Sequence, residues 1–454
     1  MYVSESMIQK IIKSGLRVGQ WFSDATVKRI YKNAGVLLGG KSIAALSSIA
    51  YIPLATHALG ATQFGILILV NGYTRAIAAG FTFQVRLSLI RYATICLQEE
   101  SEENLKKLLG FMLLIELGFG LLAISLAALL VPFAAEQFSW PAEQLSVIVF
   151  YSFASVSLMS SMPAGVLYVF GRFKLLSLQQ TVGPLVRLVC AAIAYALDAD
   201  LSGFLLAWLA GSLAEAGIQW FFGLRELSRR GLLKGMVQWP TGITRQHNGI
   251  WRFVLTTKLD TSLEELSSRA TPLAVGWILG PAAAGLYYVA LKLGVALTQA
   301  MMLVGQSLYP ELSQLAAAKQ FQNLNRVVLR TGFIAVALGL LVLTILSIFG
   351  DQVLVLYGGT GFDAAYNVLI LIVFASTIQL FGFPLSLALV ACGRPGTVLK
   401  IKLAASVFLF PVLLGLLKLY DLNGAGLHAT AFALVIVISM TVAFRRNTAR
   451  QIAL

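Results

Sequence analysis

The chain has 454 residues, of which 58% are hydrophobic and only 12% are charged, and its formal net charge is +14. Soluble globular domains contain about 45–50% apolar and about 25% charged residues, so this composition excludes a soluble globular protein. Apolar runs recur from about residue 35 to residue 444, which excludes a single signal peptide or membrane anchor. The sequence therefore predicts an all-α polytopic membrane protein, because a membrane barrel needs alternating ten-residue strands instead.

Twelve segments are long and apolar enough to cross a hydrocarbon core, which takes about 20 helical residues. We number them spans 1 to 12: residues 36–56, 64–90, 108–133, 145–170, 175–197, 201–222, 253–279, 285–308, 331–349, 364–392, 398–419 and 424–444. Residues 1–33 precede span 1 and alternate apolar with basic side chains, a spacing that suits an interfacial amphipathic helix. They lack the short basic start and apolar stretch of a cleavable signal.

The distribution of basic residues predicts the orientation of the spans. If the N-terminus is cytoplasmic, 26 of the 34 Lys and Arg residues lie at inner segments and one, Lys418, lies near an outer end. Basic residues favour the cytoplasmic side, so we expect both termini in the cytoplasm of a bacterial inner membrane. Attraction to anionic lipid then accounts for the net charge, and nucleic acid is not expected as a partner.

Short motifs recur about 220 residues apart, at equivalent loops of two halves. Leu59-Gly60 followed by Gly65 returns as Leu279-Gly280 followed by Gly285. Three more pairs follow in order: Asn104-Leu105 and Asn323-Leu324, Gly171-Arg172 and Gly393-Arg394, and Asp200-Leu201 and Asp421-Leu422. An even number of helices returns the chain to its starting side, so we expect two parallel six-helix repeats.

This duplication predicts a two-lobe transporter with five parts. An N-lobe covers residues 34–223 and a C-lobe covers residues 253–444, joined by a basic cytoplasmic linker at 224–252. Residues 1–33 and 445–454 form the cytoplasmic ends. Two such lobes rocking about a central cavity is the architecture of alternating access.

Charged residues within the spans mark the candidate site. A charge at the bilayer centre costs about 2.5–3.5 kcal/mol on insertion scales, so it should face a cavity or a partner. Six basic residues are candidates for binding an anionic substrate: Arg75, Arg187, Arg269, Lys41, Lys258 and Lys292. Arginine at the three central positions, Arg75, Arg187 and Arg269, suits bidentate contact with phosphate.

Structural roles for the same residues stay open. Glu265 and Arg269 are four residues apart in the favourable order, so a structural ion pair and a ligand role are equally expected. Arg75 and Arg187 could each pair across helices with Glu215, and both Glu215 and Glu265 are candidate structural or cavity acids. Other charged residues near the inner face could extend to the interface, namely Lys41, Arg86 and Glu116.

Asp260 and Glu264 are also four residues apart but carry the same charge. That arrangement is unfavourable unless a cation or a proton lies between the two carboxylates. We therefore expect these two residues to couple transport to H⁺ or Na⁺.

Enzyme chemistry finds little support in the sequence. Three His and three Cys residues are scattered along the chain, so neither a metal site nor a nucleophilic constellation is expected. Gly358-Gly359-Thr360-Gly361 lacks a following Lys-Ser/Thr and suits a turn rather than a phosphate loop. We expect no catalytic residues and no cofactor beyond a coupling ion.

Several motifs resemble those of bacterial polysaccharide exporters and O-antigen flippases. The segment 57–65, with Leu59-Gly60 and Phe64-Gly65, resembles the opening of that family. Tyr309-Pro310-Glu311-Leu312-Ser313 resembles its exit from helix 8, and Leu356-Tyr357-Gly358 and Gly393-Arg394-Pro395 resemble its helix 9–10 loop and following turn. The family belongs to the multidrug/oligosaccharidyl-lipid/polysaccharide exporter superfamily. The resemblance implies two six-helix lobes in a V, with helices 1, 2, 7 and 8 lining the cavity.

The resemblance also implies a substrate and partners. These are an undecaprenyl-diphosphate-linked oligosaccharide moved to the outer leaflet, membrane lipids, and polymerase or assembly proteins. Lys41, Arg75, Arg269 and Lys292 would lie on cavity-lining helices, whereas Arg187 and Glu215 would not. Alternatives are a cation-coupled multidrug exporter, a flippase for the peptidoglycan lipid precursor, which commonly has two additional helices, and a non-transporting assembly subunit.

Overall fold

The computed structural model describes residues 25–236 and 249–452, and over these ranges the fold is helical without β-strands. The helices in chain order are α1 (Ala25–Phe81), α2 (Arg86–Gln98), α3 (Glu102–Leu129), α4 (Val131–Phe138), α5 (Leu145–Tyr151), α6 (Ser161–Val169), α7 (Phe173–Ala196), α8 (Leu201–Arg229), α9 (Ile250–Leu279), α10 (Pro281–Ala317), α11 (Phe321–Gly358), α12 (Tyr366–Ala391) and α13 (Pro395–Ile452). Short 3-10 segments cover Ala142–Gln144, Ser152–Leu158 and Phe362–Ala365. The interfacial helix predicted in residues 1–33 lies largely outside the described residues, as does part of the linker.

Eight helical stretches in the described ranges are long and apolar enough to cross a membrane. Two of them, Gly35–Gln98 and Pro395–Arg446, contain 64 and 52 residues and each has an internal kink, so each contains two spans. The remaining two spans correspond to α9, which carries five charged residues between positions 258 and 269, and to α10. The described helices therefore cover all twelve predicted spans, although one helix can contain two spans and one span can contain two helices.

The repeated glycine motif makes the same backbone turn in both halves. Gly60 kinks α1 with φ 63° and ψ −179°, and Gly280 separates α9 from α10 with φ 85° and ψ 175°. Only glycine adopts this region without strain, because a Cβ atom would clash with the backbone. The shared conformation supports the duplication inferred from the sequence.

Two predicted spans are broken rather than continuous. Span 2, predicted over 64–90, ends at Phe81, and a non-helical segment at 82–85 precedes α2. Span 4, predicted over 145–170, consists of α5, the 3-10 segment Ser152–Leu158 and α6. Side chains from distant parts of the chain bind the free backbone groups at both breaks, as described below.

The halves approach each other closely where α1 meets α10, at the end that the distribution of basic residues predicts to be periplasmic and that we call the outer end. A Cβ atom on Gly65 would overlap the carbonyl oxygen of Pro281 and lie 3.1 Å from the Gly285 nitrogen. Reciprocally, a Cβ atom on Gly285 would overlap the carbonyl oxygen of Ala61 and lie 3.1 Å from the Gly65 nitrogen. Small residues are what allow two membrane helices to approach this closely.

Further contacts close the outer end around this glycine pair. Thr56 Oγ1 donates to the Tyr357 carbonyl at 3.2 Å, and Tyr357 Oη donates to the Ile49 carbonyl at 3.1 Å. The buried Phe64 ring packs edge-on against Phe362, with 6.4 Å between centroids. The end of α11 and the 3-10 segment that follows it therefore pack against the residues on both sides of the turn between spans 1 and 2.

The inner end of α9 packs with the first half of the chain. Ile250 and Val254 lie in one buried cluster with Leu108 and Met112 of α3. The Trp251 ring also packs edge-on against Phe111, with 5.3 Å between centroids. Span 7 thus contacts both halves, and the predicted lobe boundary at residue 253 stays a prediction.

The glycine contact predicts a selective effect of one methyl group. Gly65→Ala should separate α1 from α10, because the added methyl group overlaps the Pro281 carbonyl. The measurement uses a chain whose native cysteines are replaced by alanine and which carries one new cysteine at position 61. We expect labelling of that cysteine by an impermeant thiol reagent to rise severalfold. Gly118→Ala is the matched control, because a Cβ atom at Gly118 meets no atom within 4 Å. Equal labelling in both variants would contradict the close outer contact.

Candidate functional site

Three arginines from different spans lie within electrostatic range of one buried tyrosine. Tyr151, at the end of α5, donates its hydroxyl to Asn71 Oδ1 at 3.0 Å and is 2% exposed. It interacts electrostatically with Arg187, Arg75 and Arg269, which lie on α7, α1 and α9. The structure therefore brings together the three arginines that the sequence placed at central depth, and it draws them from both halves.

Arg187 lies where α7 and α8 approach most closely. Its Cζ is 5.2 Å from the centroid of the Trp208 ring, and a Cβ atom on Gly211 would lie 3.0 Å from Arg187 Cβ. The Tyr51 ring packs on Trp208 with 5.5 Å between centroids. A guanidinium over an aromatic face gains a cation–π interaction, which fixes Arg187 without neutralising its charge.

Glu215 provides an acidic group near Arg75 and Arg187. It lies on α8 opposite Gly183, where an added Cβ atom would be 3.2 Å from Glu215 Oε2. Glu215 interacts electrostatically with Arg75 and Arg187, but it forms no salt bridge within 4.0 Å with any side chain that the structure describes. One carboxylate therefore faces two guanidinium groups, which leaves an excess positive charge.

Arg269 forms the ion pair that the sequence left open. Its Nη2 lies 3.0 Å from Glu265 Oε1 and its Nε lies 3.2 Å from the same oxygen. The two side chains remain 26% and 28% exposed, so this pair is only partly buried. Glu265 is thus the structural partner of Arg269, and the other donors of the guanidinium stay available.

Lys258 is engaged by the backbone of the first half. Its Nζ donates to the carbonyls of Ala79 and Thr82, both at 2.7 Å, and Lys258 is only 8% exposed. Lys41 and Lys292 are exposed, and Lys292 Nζ lies 5.1 Å from the centroid of the Tyr288 ring. Of the three lysines predicted to bind substrate, two are therefore unburied in this conformation, and a binding role for all three stays a prediction.

For the two proposed coupling residues, the structure describes the helix backbone but not the side chains. Asp260 and Glu264 lie on α9 between Lys258 and Arg269, and their side chains fall outside the described residues. Their role in coupling stays a prediction. Over the described ranges, the structure contains no group of three or more His, Cys, Asp and Glu side chains suited to a metal ion.

A buried acid that the sequence assigned to the interface has a different role. Glu116 is 1% exposed and accepts hydrogen bonds from the backbone nitrogens of Ser161, at 2.5 Å, and Met162, at 2.7 Å. These are the free N–H groups at the start of α6, where a negative charge is favoured. Glu116 therefore caps the second half of broken span 4 and does not extend to the interface.

Neutral side chains of the cluster were missed by sequence reasoning. Asn71, Tyr151 and Trp208 carry no charge, and residues of these types are common in membrane helices. The signal available was indirect: Asn71 lies one helical turn before Arg75 on the same face.

Comparison with known proteins identifies a family and a bacterial relative of the chain. The profile of the polysaccharide biosynthesis protein family matches residues 30–316. Inner membrane protein YghQ of Escherichia coli K12 is 27% identical over 356 residues, which cover 78% of this chain and all of that protein. These matches extend across both predicted lobes.

Solved structures show the fold. A multidrug resistance MATE family transporter of the MOP superfamily, in an inward-facing conformation, has a TM-score of 0.67 at 15% identity, covering 90% of this chain and 95% of its own. The lipid II flippase MurJ, in an inward closed conformation, has a TM-score of 0.65 at 10% identity, covering 92% and 90%. The similarity confirms the predicted all-α, two-lobe fold class. The chain, 63% of which the profile spans, belongs to the polysaccharide biosynthesis protein family.

Proposed function

We propose that the protein is a flippase for an undecaprenyl-diphosphate-linked oligosaccharide repeat unit. It moves this lipid from the cytoplasmic to the periplasmic leaflet of the inner membrane, with both termini cytoplasmic, and so supplies O-antigen, exopolysaccharide or capsule assembly. The observation that carries the proposal is the group of three arginines, Arg75, Arg187 and Arg269, which both halves contribute around Tyr151.

The charge balance of this group supports an anionic headgroup. Glu265 neutralises Arg269, and Glu215 faces both Arg75 and Arg187. Removing a diphosphate from water is costly unless cationic donors replace its hydration. Arginine suits this task because its planar fork binds phosphate oxygens through two parallel hydrogen bonds.

Two related functions are less well supported. A multidrug exporter for cationic compounds needs acidic groups on cavity helices of the first half, whereas spans 1 and 2 carry only Lys41, Arg75 and Arg86. A peptidoglycan precursor flippase would share the cationic site, and the similarity to MurJ in fold keeps it as the second candidate. A non-transporting subunit would have no use for excess charge in the membrane.

The substrate is tested by deletion of the gene followed by mass analysis of the lipid fraction. The proposal expects one undecaprenyl-diphosphate-linked oligosaccharide to accumulate on the cytoplasmic side while peptidoglycan synthesis continues. Accumulation of the peptidoglycan precursor instead would select the second candidate. An unchanged lipid fraction would reject both flippase functions.

The arginines should be individually required for export. Arg75→Ala or Arg187→Ala removes one of the two cations that face Glu215, so we expect surface glycan to fall at least tenfold at an unchanged protein level. Arg330→Ala is the matched control, because Arg330 is exposed on α11. Wild-type export by both cluster variants would exclude a phosphate-binding role.

Asp260 should determine the dependence of export on an ion gradient. Asp260→Asn removes one of the two like charges in span 7, so it should weaken the response of export to a proton or sodium gradient. The measurement is glycan export in cells or vesicles with each gradient collapsed in turn. A response identical to that of the wild type would remove Asp260 from the coupling mechanism.

A further inference from the structure

The break in span 2 is not demanded by its own sequence. Residues 61–98 contain no proline, and the apolar run predicts one continuous span over residues 64–90. The structure nevertheless ends α1 at Phe81 and begins α2 at Arg86. Something other than local sequence preference must stabilise the four-residue interruption.

The stabilising groups come from the second half of the chain. Lys258 Nζ donates to the Ala79 and Thr82 carbonyls at 2.7 Å each, and Ser262 Oγ donates to the Ala79 carbonyl at 2.7 Å. Lys258 Nζ also lies 5.5 Å from the centroid of the Phe83 ring. A cation at the C-terminal end of a helix satisfies carbonyls that have no helical partner and complements the helix dipole.

These contacts compete directly with helix formation across the break. In a continuous α-helix, the N–H of residue 83 would donate to the Ala79 carbonyl and the N–H of residue 86 to the Thr82 carbonyl. Lys258 and Ser262 together fill both acceptor positions of the Ala79 carbonyl, and Lys258 fills one of the two positions of the Thr82 carbonyl. While both side chains are bound, the Ala79 carbonyl has no position left for the N–H of residue 83, so these contacts oppose closure of the helix.

We infer that Lys258 and Ser262 form a cap, supplied by span 7, that switches span 2 between a broken and a continuous helix. When the inner ends of the halves move apart, the cap leaves, residues 82–85 become helical, and α1 and α2 join into one rod. Arg75 lies on α1 only seven residues before Thr82. In this proposal Lys258 acts on the arginine cluster through span 2, as a positioning residue.

A distance measurement across the break tests this directly and requires no knowledge of the substrate. Spin labels at positions 76 and 94, in a chain whose native cysteines are replaced by alanine, would be about 27 Å apart in a continuous helix. Lys258→Met should raise the population at this distance at least twofold, whereas Lys258→Arg should retain the wild-type distribution. Lys292→Met is the matched control, because Lys292 is an exposed lysine whose Nζ lies over Tyr288. An unchanged distribution in Lys258→Met would overturn the proposal.

A second variant tests the need for the continuous state. Val85 has a φ of −71°, which proline adopts, so Val85→Pro costs the broken form only the hydrogen bond from the Val85 N–H to the Phe83 carbonyl at 3.1 Å. The same substitution strongly opposes a helix through residue 85. We expect this variant to retain the wild-type protein level, to lose the 27 Å population and to reduce transport at least tenfold, while Val85→Ala keeps at least half of the activity. Full transport by Val85→Pro would show that the break persists throughout the cycle and would refute the switch. The spin-label distances decide the switch even if the transported lipid differs from the one proposed.

Discussion

A charged group in the hydrocarbon region is stable only where protein groups replace the water that it has lost. The structure meets this constraint in different ways along the chain. Backbone N–H groups compensate Glu116, backbone carbonyls compensate Lys258, and Glu265 compensates Arg269. Arg75 and Arg187 are different, because they share one acid at a distance beyond a salt bridge. Among the described side chains, these two arginines and Glu215 therefore carry an excess positive charge within the first half.

The need to compensate buried charges also accounts for the breaks in the helices. Only the ends of a helix have backbone N–H and C=O groups that are free to bind a side chain, and the broken spans 2 and 4 each provide such an end. Glu116 lies at an N-terminal end and Lys258 at a C-terminal end. Each side-chain charge is opposite in sign to the partial charge that the helix dipole places at that end. Irregular backbone is tolerated at membrane depth only where protein covers it, and these buried side chains provide that cover.

Sequence reasoning predicted the twelve spans and the duplicated halves, because apolar length and repeated glycines are local signals. It missed both breaks, because the groups that stabilise them lie far along the chain: Lys258 is 179 residues from Ala79, and Glu116 is 45 residues from Ser161. In the site, depth in the sequence placed the three arginines at the same level of their spans, and their role in binding stays a prediction. Ion pairing could be predicted only for Arg269, whose partner lies one helical turn away, and neutral members such as Tyr151 gave no signal.

The glycine contact at the outer end has a bearing on how the chain arose. Residue 65 touches 281 and 285, while residue 285 touches 61 and 65, so the contact maps onto itself when the halves are exchanged. Such self-complementary pairing is the mark of an isologous interface between identical subunits. The two halves are therefore joined as a covalent pseudo-dimer, through the surface that two copies of a single six-helix ancestor would have used to associate.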